Sequence, residues 1–149
     1  MLPPMRIAAF FACTEVTWGD PRCPDIVNAG MSMIETEMPA EVGVPLFYML
    51  VRDGSDKSEV QKLTLIIERN GEEIGRKPIE IQFRDDQAIY PMICVAGAEV
   101  HRDSSFSFEL HGPGKIRAKW PVRVRRNPLR NTESTRPEDS APPVEPSAS

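Results

Sequence analysis

Along residues 5–126, apolar residues recur at every second position far more than at three- and four-residue spacing. That is the rhythm of extended chain with one face buried. From Lys115 to Arg126, Ile116, Ala118, Trp120, Val122 and Val124 alternate with Lys115, Arg117, Lys119, Pro121, Arg123 and Arg125. The pattern predicts a strand with an apolar face and a cationic one. Pro121 has no amide hydrogen, so this strand is expected at a sheet edge or bulged at that point. Just upstream, Phe106, Phe108 and Leu110 alternate with Ser105, Ser107 and Glu109, and the HGPG at 111–114 is turn sequence. Together these predict an antiparallel hairpin.

Asn70-Gly71 is the dipeptide that best supplies the two positive φ values of a type I′ turn, and it predicts a second hairpin. Leu63, Leu65 and Ile67 fill one face of the incoming strand. Ile79, Ile81 and Phe83 fill one face of the outgoing strand, with a kink or bulge expected between Glu72 and Lys77 around Gly75. Met5 to Cys13 is apolar on both faces, as a central strand would be, and its two phenylalanines and missing N-cap favour a strand over a helix. Ile26–Ile34, Pro45–Arg52 and Ala88–Val95 are further strand candidates, separated by turn chemistry in PDI, MPAEVGVP and RDGSDKS. The count is about seven or eight strands with no convincing helix, which predicts an all-β, two-sheet antiparallel sandwich, immunoglobulin-like or similar.

Composition changes near Asn127. Residues 127–149 hold five prolines, no aromatic residue, and only Leu129 and Val144 as large aliphatics. A segment this poor in apolar surface cannot offset its ordering entropy, so it is expected to be a disordered Pro/Ser/Glu-rich tail. Residues 5–126 then form one domain, in keeping with a chain of 149 residues. The longest apolar run, Ile7–Cys13, has seven residues, far short of a membrane span. Arg6, that run and Ala12-Cys13 imitate a bacterial lipoprotein signal only faintly, since Pro3 and Pro4 occupy the charged region. The three cysteines, Cys13, Cys23 and Cys94, are odd in number and lack C-x-x-C spacing. They are expected to be small apolar fillers in a reducing, cytoplasmic setting.

Catalytic or cofactor chemistry finds little support. His101 and His111 lack a third ligand at metal-binding spacing and are expected to be exposed loop residues. Ser104, Ser105 and Ser107 have no nucleophile elbow. Adjacent Asp85 and Asp86 point to opposite faces of extended chain and make no dyad. Asp53, Asp56 and Glu59 do not follow a calcium-loop spacing. Gly112 and Gly114 precede no helix that could cradle phosphate. No catalytic, metal-binding or cofactor-binding residue is therefore assigned, and an enzyme is not expected; a cryptic enzyme, the least favoured alternative, would need acids and bases from separate strands to meet in a pocket.

Charge is uneven. Lys115–Arg130 carries seven cations and no acid, while the whole chain has a net charge of −4. Lys115, Arg117, Lys119, Arg123 and Arg125 form a candidate basic binding stripe for an acidic partner or polyanion. Protection of an edge strand by charge, or neutralisation by the molecule's own acids, would produce the same pattern. Nucleic acid is the lesser alternative, because Trp120 should point into the core and no aromatic residue interleaves the cations.

The segments MRIAAFFACTEV (5–16), NAGMSMIE (28–35), LFYMLVR (46–52), SFSFELHG (105–112) and WPVRV (120–124) resemble the bacterial domains of unknown function catalogued as DUF6941. The resemblance covers nearly all of residues 5–126 and departs from the family pattern at Thr14, which precedes Glu15. It implies a small β-sandwich and supplies no catalytic residue, ligand or partner. The expected function is a non-catalytic interaction module whose partner is another protein.

Overall fold

The computed structural model describes residues 5–20, 23–52, 60–84 and 87–127. Of the expected tail at 127–149, Asn127 is described and its amide donates to the Thr36 carbonyl at 2.9 Å; residues 128–149, Asp53, Asp56 and Glu59, and Asp85 and Asp86 lie outside the described residues. Among the described residues no helix forms, and there are ten strands where the sequence pattern predicts about seven or eight. They are β1 (Met5–Ala12), β2 (Glu15–Asp20), β3 (Cys23–Val27), β4 (Met33–Thr36), β5 (Ala40–Arg52), β6 (Val60–Arg69), β7 (Glu72–Gln82), β8 (Ile89–Val100), β9 (Ser104–His111) and β10 (Arg117–Arg126). They form a three-stranded sheet in the order β1-β5-β8, a five-stranded sheet in the order β4-β10-β9-β6-β7, and the separate pair β2-β3.

The two larger sheets share one core. Leu46, Tyr48 and Leu50 of β5 meet Leu63 and Leu65 of β6, Phe106, Phe108 and Leu110 of β9, and Val122 and Val124 of β10. Each set sits at every second residue, so the two-residue rhythm of the sequence selects the inward faces. Both predicted hairpins are present. Asn70 and Gly71 have φ of 53° and 88°, the pair of left-handed values a type I′ turn needs. The Asn70 side chain accepts a hydrogen bond from the Ser105 amide at 2.9 Å, which ties this turn to β9. The expected bulge falls on β7, where Ile74 is the extra residue between Gly75 opposite Ile67 and Glu73 opposite Glu68.

Several expectations are corrected. Ile26–Ile34 is not one strand, because the chain turns at Asn28 (φ 54°) and Gly30 (φ 83°) and divides it into β3 and β4. The MPAEVGVP segment is largely strand, since β5 already begins at Ala40. Valines at alternate positions there outweigh its turn residues. β1 is an edge strand rather than a central one. Its outward Ala9 and Phe11 lie against apolar Met49 and Phe47 on the outer face of the sheet, while Arg6 is exposed at its start. The five-stranded sheet is mixed, with β4 parallel to β10.

β10 is an edge over only part of its length. β4 pairs with Arg123–Arg126, while β9 pairs with Arg117–Val124. The Arg123 amide donates to the Ser32 carbonyl on the β4 side. Strand parity then directs the nitrogen of Pro121 to that same side, before β4 begins, so the missing donor costs no ladder bond.

Candidate interaction surfaces

Alternation along β10 sends Arg117, Lys119, Arg123 and Arg125 to the exposed face, as the sequence predicts. Lys115 lies in the turn before the strand and does not share its register. The molecule's own acids occupy two members of the stripe. Lys119 Nζ lies 3.4 Å from Glu109, and Arg125 makes hydrogen bonds of 3.0 and 2.7 Å to Glu35. Arg117 and Arg123 have no ion pair among the described residues, nor does Lys115 in the turn, so the unneutralised charge on the outer face of β10 is two guanidinium groups.

His101 is exposed and stands 3.6 Å from Glu99. His111 departs from expectation. It ends β9 and is half-buried, with Nε2 2.7 Å from Glu109. The register places Glu109 opposite Lys119 and beside His111 on the outer face, so two donors converge on one carboxylate. The hydrogen bond from His111, helped by Lys119, holds the Glu109 carboxyl below the usual carboxylate range. A depressed folded-state value adds stability above the unfolded-state value, about 4.3, and loses it as pH falls through the folded value. Wild type is therefore expected to be more stable than Glu109→Gln by a constant margin above about pH 5 that closes under acid. Urea denaturation between about pH 3 and about pH 7 measures that margin.

Inside the sandwich, Tyr48, Tyr90 and Cys94 place three protic side chains close together, a grouping the sequence gives no sign of. Burial pushes the Cys94 thiol up to about 11 and raises the Tyr48 hydroxyl as well, with Cys94 and Tyr90 contributing to the latter. Both groups are neutral near pH 7, so Cys94 is a packed thiol rather than a nucleophile. Cys13 is buried and its thiol is also raised, whereas Cys23 is exposed and is not the core filler expected of it. Among the described residues no group of three or more His, Cys, Asp or Glu could hold a metal ion. No helix there is long and apolar enough to cross a membrane.

Trp120 is half-buried at the margin of the core. Its indole N–H donates to the Met31 carbonyl at 2.8 Å, and its ring meets Phe11 edge-on at 6.3 Å.

The outer face of the three-stranded sheet is the surface that sequence reasoning missed. Register aligns Phe11, Phe47 and Ile93 in one row, Ala9, Met49 and Pro91 in the next, then Arg6, Val51 and Ile89, with Pro45 opposite Val95 on the other side and Glu41 opposite Glu99 at the far end. Phe11 and Phe47 pack with ring centroids 5.4 Å apart. Ile89 and Val95 are 51% and 53% exposed. The outer face of the other sheet differs, carrying Glu109, His111, Lys119, Arg123 and Arg125. The signal in the sequence is Ile89–Val100 itself, whose one charged residue is Glu99. Alternation alone does not say that its odd-numbered residues face solvent.

Compared with models of known protein families and with curated proteins, the chain matches none.

Proposed function

We propose that this chain is a non-catalytic protein-binding module, a cytoplasmic bacterial β-sandwich of the DUF6941 kind, which meets its partner through the outward side of the β1-β5-β8 sheet. The observation that carries the reading is the contrast between the two outer faces. One has apolar residues on all three strands, with Ile89 and Val95 exposed and its charges, Arg6, Glu41 and Glu99, toward the ends, whereas the other is mostly charged and partly paired internally, with Val60 exposed on it. Phe47 at its centre is only 4% exposed, and the rows of apolar side chains around it, open at Ile89 and Val95, are taken as the contact surface because apolar patches mark interaction sites. Three free thiols support the cytoplasmic placement.

The test is capture by the immobilised domain. The reading expects a protein, retained in stoichiometric amount, to be lost with Ile89→Lys and kept with the triple variant Arg117→Ser, Lys119→Ser, Arg123→Ser. Loss with the triple variant and retention with Ile89→Lys would overturn it.

A polyanion is the second reading, favoured by the unpaired Arg117 and Arg123. On a single strand, two released counterions correspond to a log–log salt slope of about −1.4, against about −3.5 for a stripe of five free cations. Titration of a fluorescent single-stranded oligonucleotide at several salt concentrations separates the two. The ion pairs at Lys119 and Arg125 predict the shallow slope.

A further inference from the structure

Each sheet ends in strands with an unpaired side, and natural proteins blunt such edges. β4 is four residues long. β1 carries a register break at Ala8. β7 carries Glu72, Glu73, Arg76, Lys77 and Glu80, together with Pro78 and the bulge at Ile74. β8 differs from all three. It runs twelve residues, and its only devices are Pro91 near one end and Glu99 near the other.

Which of its backbone groups are free follows from strand parity. The Pro45 carbonyl accepts from the Cys13 amide, so the odd-numbered residues of β5 address the β1 side. Val95 lies opposite Pro45 and must turn its own N–H and C=O away from β5. The Arg52 amide bonding to the Ala88 carbonyl confirms the phase, since even-numbered positions of the two strands address each other. Ile93, Val95 and Gly97 therefore present donors and acceptors to the open edge, Glu99 presents its amide while its carbonyl accepts from Arg69 Nη1 at 2.9 Å, and Pro91 presents only an acceptor.

We propose that this edge pairs with β8 of a second copy of the chain, antiparallel about a two-fold axis at Val95, to give a continuous six-stranded sheet. The proposal rests on the protein-binding reading above and adds to its outward face the adjoining edge of the same sheet, with a second copy as the partner there. Self-pairing about Val95 sets Val95 against Val95 of the second copy and Ile93 against its Gly97, so outward-directed bonds meet outward-directed bonds. Glu99 then falls opposite Pro91, so no like charges face each other, and the residue without a donor sits at the end of the new ladder. The largest exposure of any large apolar side chain among the described residues, 53% at Val95, lies on the axis, where the pairing relieves it. A charged partner strand would gain nothing from an edge that offers no charge between Ile89 and Ala98.

Sedimentation equilibrium or light scattering across a range from about 1 μM to 1 mM tests the proposal. Wild type is expected to rise from 16.7 kDa toward twice that mass. Val95→Lys opposes two ammonium groups on the axis and is expected to weaken the dimer at least about tenfold. Val60→Lys is the control. Val60 is 52% exposed on β6, away from β8, and its replacement should leave the dimer unchanged. Both substituted side chains are exposed, and unchanged circular dichroism confirms that the variants fold.

A monomer at every concentration, or a dimer indifferent to Val95→Lys, overturns self-pairing. The broader reading fails by a different result, a captured protein indifferent to Ile89→Lys.

Discussion

Replacing Phe108 with alanine is expected to cost about 3–5 kcal/mol of folding stability, the largest loss at any single side chain considered. Phe108 is 2% exposed on β9, which lies in the middle of the five-stranded sheet between β10 and β6. Its backbone is paired with Trp120 on one side and Ile67 on the other, and its ring lies nearly parallel to that of Phe106, 6.3 Å away at 5°. Truncation loses the transfer free energy of the ring and leaves a hole that strands held on both sides cannot close. Domains of this size have about 5–15 kcal/mol in total, so the variant should be near its limit at 37 °C [~, P195]. Urea unfolding reads the loss as a lower midpoint with an unchanged slope. A cost below about 1 kcal/mol would show that the two sheets do not share the core assigned to them.

Arg52→Met is the second large effect, expected at about 2–4 kcal/mol. Arg52 ends β5 facing inward and is only 9% exposed. Its Nε donates to the Gln87 carbonyl at 2.8 Å, Nη2 donates to the Arg84 carbonyl, and the guanidinium lies 5.2 Å from the Phe83 ring centroid. These contacts fasten both ends of the segment that carries the chain from β7 in one sheet to β8 in the other. Methionine fills much of the volume but leaves the two carbonyls without their ionised donor, which is the costly half of such a change. Lysine restores the charge but not a planar fork that spans both carbonyls, so Arg52→Lys should recover less than half of the loss. Full recovery with lysine would mean that charge, rather than the two-point attachment, matters.

Local physics explains what the sequence made legible. Leu63, Leu65, Phe106, Phe108, Leu110, Val122 and Val124 announce their strands by alternation, and Asn70-Gly71 announces its turn by backbone sterics. Elements shaped by distant neighbours were misread. β1 has apolar residues on both faces although it is an edge, because its outward Phe11 packs on Phe47 of β5, a contact between residues far apart in sequence. The division of Ile26–Ile34 depends on a left-handed Asn28, whose side chain donates to Thr14. The basic stripe was visible as charge, but its neutralisation by Glu35 and Glu109 depends on strand order. The open edge of β8 was hidden for the same reason, since an edge belongs to a sheet and not to a segment.

Residue-by-residue amide hydrogen exchange along β8, measured by NMR at low and high protein concentration, tests the account most directly. The amides of Met92, Cys94 and Ala96, turned toward β5, should be protected at both concentrations. Those of Ile93, Val95 and Gly97 should exchange rapidly when dilute and become protected as copies pair. Equal protection of both sets in dilute solution would contradict the placement of β8 as a free edge, and odd-numbered amides that stay unprotected when concentrated would contradict its pairing.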